Sequence, residues 1–256
     1  GKVYESRGTD SGVLERGPER ILKRISNHVL KLLYPQKCPF CGRISPEGIC
    51  SRCRKKIVYI RQPRCMHCGK PIRSEVEEYC VDCRKNPTNI TQGRSLWLHR
   101  DPVASAVYGF KYRNKRSWGK LFAREMVREY GAQIGRWEID EIIPVPLHAS
   151  RRRKRGYNQA EIIAEEIAGM TGIPVRSDVL FRIRKTVAQK RLGRAERAAN
   201  LRGAFGVSRR WKTGGNVLLI DDIYTTGATV ERAAAVLKKA GAQNVYFLTI
   251  SIGQGL

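Results

Sequence analysis

The chain has 256 residues, 41% hydrophobic and 8% aromatic, enough for one full-sized core and a small accessory module. It contains no apolar stretch long enough to cross a bilayer and no signal-peptide-like apolar segment at its polar start, so we expect a cytoplasmic protein. Its 49 Lys and Arg against 23 Asp and Glu give a net charge of +26, which favours a polyanionic partner (nucleic acid, a phosphorylated substrate or an anionic membrane) over a merely solubilising surface.

The first part of the chain divides into three predicted segments. Residues 1–17 are polar and predicted to be a flexible arm. Residues 18–35 predict an amphipathic helix, with Pro18 suited to its first turn and Pro35 ending it. We expect this helix to dock on the rest of the chain, and a membrane-surface helix is the alternative. Residues 36–88 form a module that contains all eight cysteines.

The cysteines of this module are arranged as four C-x-x-C pairs. Two such pairs supply four thiolates, the ligand set of one tetrahedral Zn²⁺, so the module predicts two closed, structural zinc sites and resembles a double zinc ribbon. Sequential pairing is preferred because each short loop closes at low entropic cost, while cross-brace pairing and an iron–sulfur cluster stay open as alternatives. A disulfide framework is not expected in a reducing cytoplasm. The predicted ligands are Cys38, Cys41, Cys50, Cys53, Cys65, Cys68, Cys80 and Cys83.

Basic residues between the two ligand sets are candidate contacts for single-stranded DNA. Tyr59 lies among them and offers an aromatic surface on which a base could stack. The candidates are Arg52, Arg54, Lys55, Lys56, Arg61 and Arg64.

Residues 95–256 alternate between strand-like and helix-like patterns. The alternation, with aliphatic strands, predicts a doubly wound α/β domain built on a parallel sheet. The predicted strands are Ala106–Phe110, Ile139–Val145, Val179–Ile183, Ala204–Val207, Val217–Ile220 and Val245–Ser251. The predicted helices are Ser117–Tyr130, Asn158–Met170 with Asn158 as its cap, and Thr229–Ala240, which Gly241 ends.

The segment Val217–Val230, with the sequence VLLIDDIYTTGATV, is the most informative of the chain. Its aliphatic strand delivers Asp221 and Asp222 to the carboxyl end of the sheet, where open α/β sheets bind ligands. The small residues that follow let backbone N–H groups at a helix start approach a phosphate. Carboxylates repel phosphate, so the two acids are suited to sugar hydroxyls, and the combination describes a ribose 5-phosphate. The predicted phosphate-binding residues are Thr225, Thr226, Gly227, Ala228 and Thr229.

Two basic segments upstream of this motif are candidates for binding a pyrophosphate. One is a basic loop, Arg151–Arg155, which follows a strand and precedes a helix. The other is the long polar segment Arg184–Arg202, for which a lid over the ligand and a nucleic-acid contact both stay open. The candidate residues are Arg151, Arg155, Lys185, Gln189, Lys190 and Arg191.

Val217–Val230 resembles the phosphoribosyl pyrophosphate (PRPP) motif of type I phosphoribosyltransferases. That resemblance implies a type I phosphoribosyltransferase-like fold, Asp221 and Asp222 on the ribose 2′- and 3′-hydroxyls, Thr225–Thr229 on the 5′-phosphate, and Mg²⁺ carried with PRPP. With FKYRNKRSWGKLFA, RIRKTVAQKRLGRAERAANLRGAF and the string from His148 to Gln159, the chain resembles the ComF/ComFC family of competence proteins from about Leu32 to Ile252.

The ComF/ComFC resemblance implies PRPP binding and the handling of single-stranded DNA during DNA uptake, beside a DNA-translocating ATPase. The alternative is an active phosphoribosyltransferase that transfers phosphoribose to a base or amine, with release of pyrophosphate. The third hypothesis is a nucleotide-sensing regulator. No segment is recognisable as a hood over an acceptor base, which favours the competence reading.

Overall fold

The structure, a computed structural model, describes residues 35–183, 203–212 and 214–253. The predicted arm, the predicted helix as far as residue 34 and the polar segment 184–202 lie outside these residues, and so do the candidates Lys185, Gln189, Lys190 and Arg191. Within the described ranges no helix is both long enough and apolar enough to span a bilayer.

A four-stranded parallel sheet forms the centre of the fold, in the order β1-β6-β5-β2. Its central strands β5 and β6 pair from Asn216 opposite Asn244 to Tyr224 opposite Ile252. A separate antiparallel pair joins β3 to β4. The strands are β1 (Gln92–Leu98), β2 (Glu141–Pro144), β3 (Leu180–Arg182), β4 (Phe205–Val207), β5 (Asn216–Tyr224) and β6 (Asn244–Ile252).

Helices cover both faces of this sheet, as predicted for the α/β class. On one face α4 and α6 pack over the sheet with α3, and on the other face α7 packs with the β3–β4 pair. The described helices are α1 (Ser51–Arg54), α2 (Val81–Lys85), α3 (Val103–Tyr112), α4 (Trp118–Arg136), α5 (Ala149–Arg155), α6 (Gln159–Thr171) and α7 (Ala228–Lys239).

The cap predicted for α6 is confirmed. Asn158 is extended, and its side chain accepts a hydrogen bond from the amide of Ala160 at 3.2 Å while donating one to the carbonyl of Val145 at 3.0 Å. One side chain therefore caps the helix and ties it to the end of the preceding strand.

The predicted strand Ala106–Phe110 is wrong, because these residues lie within helix α3. The β-branched and aromatic residues of this segment favour a strand locally, but Asp101 stabilises the first turn of a helix. Its carboxylate accepts hydrogen bonds from the amide of Ser105 at 3.1 Å and from the Ser105 hydroxyl at 2.6 Å. Packing of Val107 and Phe110 into the core then stabilises the helix.

The predicted basic loop Arg151–Arg155 is also wrong, since it forms the end of helix α5. His148 caps this helix by accepting a hydrogen bond from the amide of Ser150 at 3.2 Å, and Gly156 ends it with a φ of 80°. The basic side chains therefore project from a helix and not from a loop. Asx-like capping by a histidine gives little sequence signal, which explains the missed helix.

The cysteine module lies against strand β1. The segment between the two cysteine sets runs along β1, where the amide of Leu98 donates to the carbonyl of Val58 at 2.9 Å and that of Ile60 to the carbonyl of Leu96 at 3.2 Å. The first cysteine set packs into the core on one face of the sheet, and the second set packs into the core on the other face. The module thus contacts both faces of the domain.

Candidate functional site

Asp221 and Asp222 lie in the last part of β5, two positions before the strand ends at Tyr224. The strand extends beyond the predicted end at Ile220 as far as Tyr224, so both acids belong to it and take successive positions on it. The amide of Asp222 donates a hydrogen bond to Oδ1 of Asp221 at 2.8 Å. The acid pair is therefore fixed by the strand itself, at the carboxyl end of the sheet.

The segment from Tyr224 to α7 turns sharply at Gly227. Its φ is 79°, and a Cβ at this position would lie 2.2 Å from the Tyr224 hydroxyl oxygen, so both the backbone and the available space require glycine. Tyr224 is held in place by stacking on Phe247, with ring centroids 4.8 Å apart. The Thr226 hydroxyl is buried and has no hydrogen-bond partner among the residues that the structure describes. The turn presents backbone amides and this hydroxyl at the N-terminus of α7.

Two cations from other elements lie near the acid pair. Nζ of Lys111, near the end of α3, is 2.9 Å from Oδ1 of Asp222, and both side chains are more than four-fifths buried. Arg182 of β3 is also close, since its charge acts on that of Asp221. Burial and the nearby Arg151 lower the pKa of Arg182 to about 10. The site therefore combines two acids with Lys111 and Arg182, and Arg151 lies next to Arg182.

Asp221 has an unusual protonation equilibrium in this setting. Burial, and next the negative charge of Asp222, raise its pKa from 3.8 to about 7. The hydrogen bond from the Asp222 amide and the charges of Lys111 and Arg182 oppose this rise without cancelling it. Near neutral pH Asp221 is therefore only partly ionised without ligand, and a ligand that donates hydrogen bonds would favour its ionised form.

The segment that follows α5 is folded against α3. The Tyr157 hydroxyl and the Gln159 amide both donate to the carbonyl of Phe110, the latter at 3.3 Å. Of the two predicted pyrophosphate-side arginines, Arg151 lies close enough to Arg182 for their charges to interact. Arg155 instead donates to Gln159 and lies over the Tyr112 ring, with its Cζ 4.8 Å from the centroid.

The eight cysteines form two groups of four in sequential pairing. In each group the ligand sulfurs all lie within 4.8 Å of one another. The Cys41 and Cys50 sulfurs are 3.6 Å apart and those of Cys68 and Cys80 are 3.7 Å apart. These distances fit the edge of a tetrahedron of Zn–S bonds of about 2.3 Å, which is about 3.8 Å. The groups, Cys38/Cys41/Cys50/Cys53 and Cys65/Cys68/Cys80/Cys83, fit structural Zn²⁺.

The six basic residues proposed from the sequence as DNA contacts differ in their surroundings. Arg54 donates two hydrogen bonds of 3.1 Å to Glu125, whose side chain is 2% exposed, and Arg61 pairs with Glu129. Arg64 lies over the ring of Tyr130, with its Cζ 5.9 Å from the centroid. The other three, Arg52, Lys55 and Lys56, are exposed. At least Arg54 therefore joins the module to α4.

Comparisons with known proteins agree with this architecture. Residues 29–84 match the family model of the double zinc ribbon domain. Over 218 residues the chain is 29% identical to competence protein F of Haemophilus influenzae, covering 82% of this chain and 93% of that protein. It is 29% identical over 211 residues to competence protein ComFC of Bacillus subtilis, covering 80% and 84%. It is 28% identical over 220 residues to the DNA utilization protein YhgH of Salmonella typhimurium, covering 84% and 96%.

Over most of its length the chain is similar to the ComF/ComFC competence proteins. Among solved structures, the glutamine PRPP amidotransferase of B. subtilis is 21% identical, with a TM-score of 0.36. The match covers 56% of this chain and 30% of the amidotransferase chain. The fold class follows from the parallel sheet with helices on both faces and from the N-terminal double zinc ribbon.

The structure brings two residues to the acid pair that the sequence did not single out for the site. Lys111 belongs to the FKYRNKR string and Arg182 begins the RIRKTVAQK string, both of which carry the family resemblance. Their roles depend on the position of α3 and of β3 relative to β5, which no local pattern specifies. The signal that the sequence offered for these two residues was the family resemblance, which both basic strings carry.

Proposed function

We propose that this protein binds PRPP with Mg²⁺ at the end of β5 and handles single-stranded DNA in the cytoplasm during natural transformation. The observation that carries the PRPP part is the buried acid pair Asp221–Asp222, followed directly by the glycine turn into α7. The DNA part rests on the net charge of +26 and on homology to proteins named for competence and DNA utilization.

The ribose 5-phosphate is recognised by two different kinds of group. Asp221 and Asp222 accept hydrogen bonds from the 2′- and 3′-hydroxyls, because carboxylates are acceptors and would repel a phosphate. The 5′-phosphate lies at Thr225–Thr229, where the amides of the turn and the dipole of α7 favour an anion. The buried Thr226 hydroxyl adds a donor to this set.

The pyrophosphate needs positive charge, and the basic side chains near the acid pair supply it. Arg151 and Arg182 are close to each other, and their mutual repulsion would be relieved by an anion between them. Of the remaining candidates, Arg155 lies by Tyr112, while Lys185, Gln189, Lys190 and Arg191 are outside the described residues. Mg²⁺ arrives with PRPP, and the oxygen donors of Asp221 and Asp222 are of the type that this hard cation prefers.

PRPP binding is tested by calorimetry with PRPP and Mg²⁺ on the zinc-loaded chain. We expect a measurable heat with the unmutated protein and none with the double variant Asp221→Ala/Asp222→Ala. The matched control is Glu165→Ala/Glu166→Ala, which removes two adjacent acids of α6 outside the site and should leave binding unchanged. Absence of heat with the unmutated protein would refute the ligand assignment.

DNA binding is tested separately, by the anisotropy of a labelled single-stranded oligonucleotide at several salt concentrations. We expect affinity to fall steeply with salt, since neutralised phosphates release counterions, and to survive in the Asp221→Ala/Asp222→Ala variant. A flat salt response would contradict the electrostatic basis of the proposal. Release of pyrophosphate from PRPP with a panel of bases would identify a transferase instead. A DNA-translocating ATPase is the partner that we expect beside this protein.

A further inference from the structure

Helix α3 carries two exposed aromatic side chains next to the candidate ribose-phosphate site. Tyr108 is 44% exposed and Tyr112 is 57% exposed, and their rings lie 4.8 Å apart at an angle of 42°. The two are four residues apart, so they lie on the same side of the helix. Lys111, which pairs with Asp222, is the immediate neighbour of Tyr112. The aromatic pair is therefore close to the acid pair.

An arginine lies over each of these two rings. Cζ of Arg113 is 5.8 Å from the centroid of Tyr108, and Cζ of Arg155 is 4.8 Å from that of Tyr112. Arg155 is held in this position by its hydrogen bond to Gln159. The four side chains form one surface in which two adjacent aromatic rings lie between two guanidinium groups, and we call it the Tyr–Arg surface.

The surroundings of the Tyr–Arg surface are strongly basic. The residues after Tyr112 include Arg113, Lys115 and Arg116, all exposed. Helix α5 adds a continuous run of five basic residues, Arg151–Arg155, of which Arg152 is paired with Glu161 at 2.8 Å. Two more cation–aromatic contacts, Lys115 over Trp118 and Arg116 over Tyr157, continue the pattern from this surface. The positive charge of this region is complementary to the negative charge of a phosphate backbone.

Exposed tyrosines of this kind contribute little to the core, because about half of each side chain stays in water. Aromatic and guanidinium planes within a basic surface are instead the groups on which proteins stack the bases of single-stranded nucleic acids. Duplex DNA hides its bases from such a surface. The Tyr–Arg surface therefore fits a single strand, with bases on the rings and phosphates on the surrounding cations.

We propose that Tyr108, Tyr112, Arg113 and Arg155 form the platform on which this protein stacks the bases of single-stranded DNA, beside its ribose-phosphate site. This inference rests on the DNA part of the proposed function and gives it a location. It places the strand at α3 and α5 of the α/β domain, whereas the residues proposed from the sequence lie in the zinc module.

The test compares two labelled oligomers of equal length and charge, oligo(dT) and an abasic deoxyribose-phosphate oligomer. Fluorescence anisotropy is measured with the zinc-loaded chain and three variants. We expect the unmutated protein to prefer oligo(dT) by about tenfold for a single stacked base. In Tyr108→Ala/Tyr112→Ala this preference should fall to near one, while affinity for the abasic oligomer is unchanged. Tyr108→Phe/Tyr112→Phe should keep the preference, because it keeps both rings.

The control variant is Phe181→Ala, which removes an aromatic side chain of similar exposure (45%) on β3 and should keep the preference. Zinc content and PRPP binding, measured on the same preparations, show that each variant is folded. If the unmutated protein binds neither oligomer, the DNA part of the proposed function fails. If it prefers oligo(dT) and the double alanine variant keeps that preference, only the platform is overturned. The platform would also be overturned if the unmutated protein bound free thymine saturably but showed no preference for oligo(dT) over the abasic oligomer.

Discussion

Replacing Asp221 with asparagine should stabilise this protein in the absence of ligand. The substitution keeps the shape of the side chain and an oxygen that accepts the hydrogen bond from the Asp222 amide. It removes a carboxylate whose ionisation is opposed by burial and by Asp222. Lys111 retains its partner Asp222 at 2.9 Å, so no ion pair of that lysine is lost.

The magnitude follows from the pKa of Asp221, which rises from 3.8 in the unfolded chain to about 7 in the folded one. A raised carboxyl pKa means that the folded state binds the proton more tightly, so stability is highest below the unfolded pKa and falls as the pH rises through 7. One pKa unit corresponds to about 1.36 kcal/mol. Ionisation of Asp221 therefore lowers the free energy of unfolding by about 4 kcal/mol at pH 8 and by about 2 kcal/mol at pH 5.5. Asparagine does not titrate, so Asp221→Asn should avoid that loss.

The assay is denaturant unfolding of the zinc-loaded protein at pH 5.5 and pH 8. We expect the free energy of unfolding of Asp221→Asn to exceed that of the unmutated protein, by a margin that grows by about 2 kcal/mol between the two pH values. Asp222→Asn is the comparison variant: it removes the charge that adds to the rise of the Asp221 pKa, but it also loses the contact with Lys111, so its gain should be smaller. A variant no more stable at pH 8, or a margin that does not grow with pH, would refute the reasoning. PRPP binding should be lost in the stabilised variant.

Three further predictions concern the turn, the module contact and the metal. Gly227→Ala should lower the free energy of unfolding by about 2 kcal/mol or more, because its Cβ would meet the Tyr224 hydroxyl, whereas Gly169→Ala in α6 has open space and should be neutral or stabilising. Arg54→Ala should cost about 2 kcal/mol by removing two charge-assisted hydrogen bonds from the buried Glu125, which keeps its contacts with Arg128 and Tyr59. The exposed neighbour Lys55→Ala should change stability by less than about 0.5 kcal/mol, and equal effects in denaturant unfolding would contradict this. Metal analysis should return about two Zn per chain, and a chelator should unfold the module, whereas one Zn would exclude the two-site arrangement.

The sequence predicted the central strands and the last helix closely because their signals are local. Val217–Ile220 is aliphatic on both faces, and Asn158 is of a residue type that commonly caps helices, as it does for α6. Strand β1 was not predicted, since Arg94 and Ser95 interrupt its apolar pattern. Both are buried, and the Ser95 hydroxyl is hydrogen-bonded to that of Thr249 at 2.6 Å, a partner 154 positions away.

The candidate site was predicted in part for the same reason. Asp221, Asp222 and Gly227 lie in one short segment of the sequence, so a single motif predicts their arrangement. Lys111 and Arg182 reach the acids from elements far away in the chain, and the strand predicted at Ala106–Phe110 would have pointed alternate residues to opposite faces. Only helix α3 brings Lys111 to Asp222.

The position of the cysteine module along β1 bears on whether the protein associates with copies of itself. β1 is the outer strand of the sheet, and an outer strand with free backbone groups is a template for pairing with other chains. The segment Val58–Ile60 occupies that edge, and the two cysteine groups pack on opposite faces of the domain. Loss of zinc would release this cover, so we expect the metal-free protein to aggregate. We therefore expect zinc binding to protect the α/β domain against self-association as well as to shape the loops of the module.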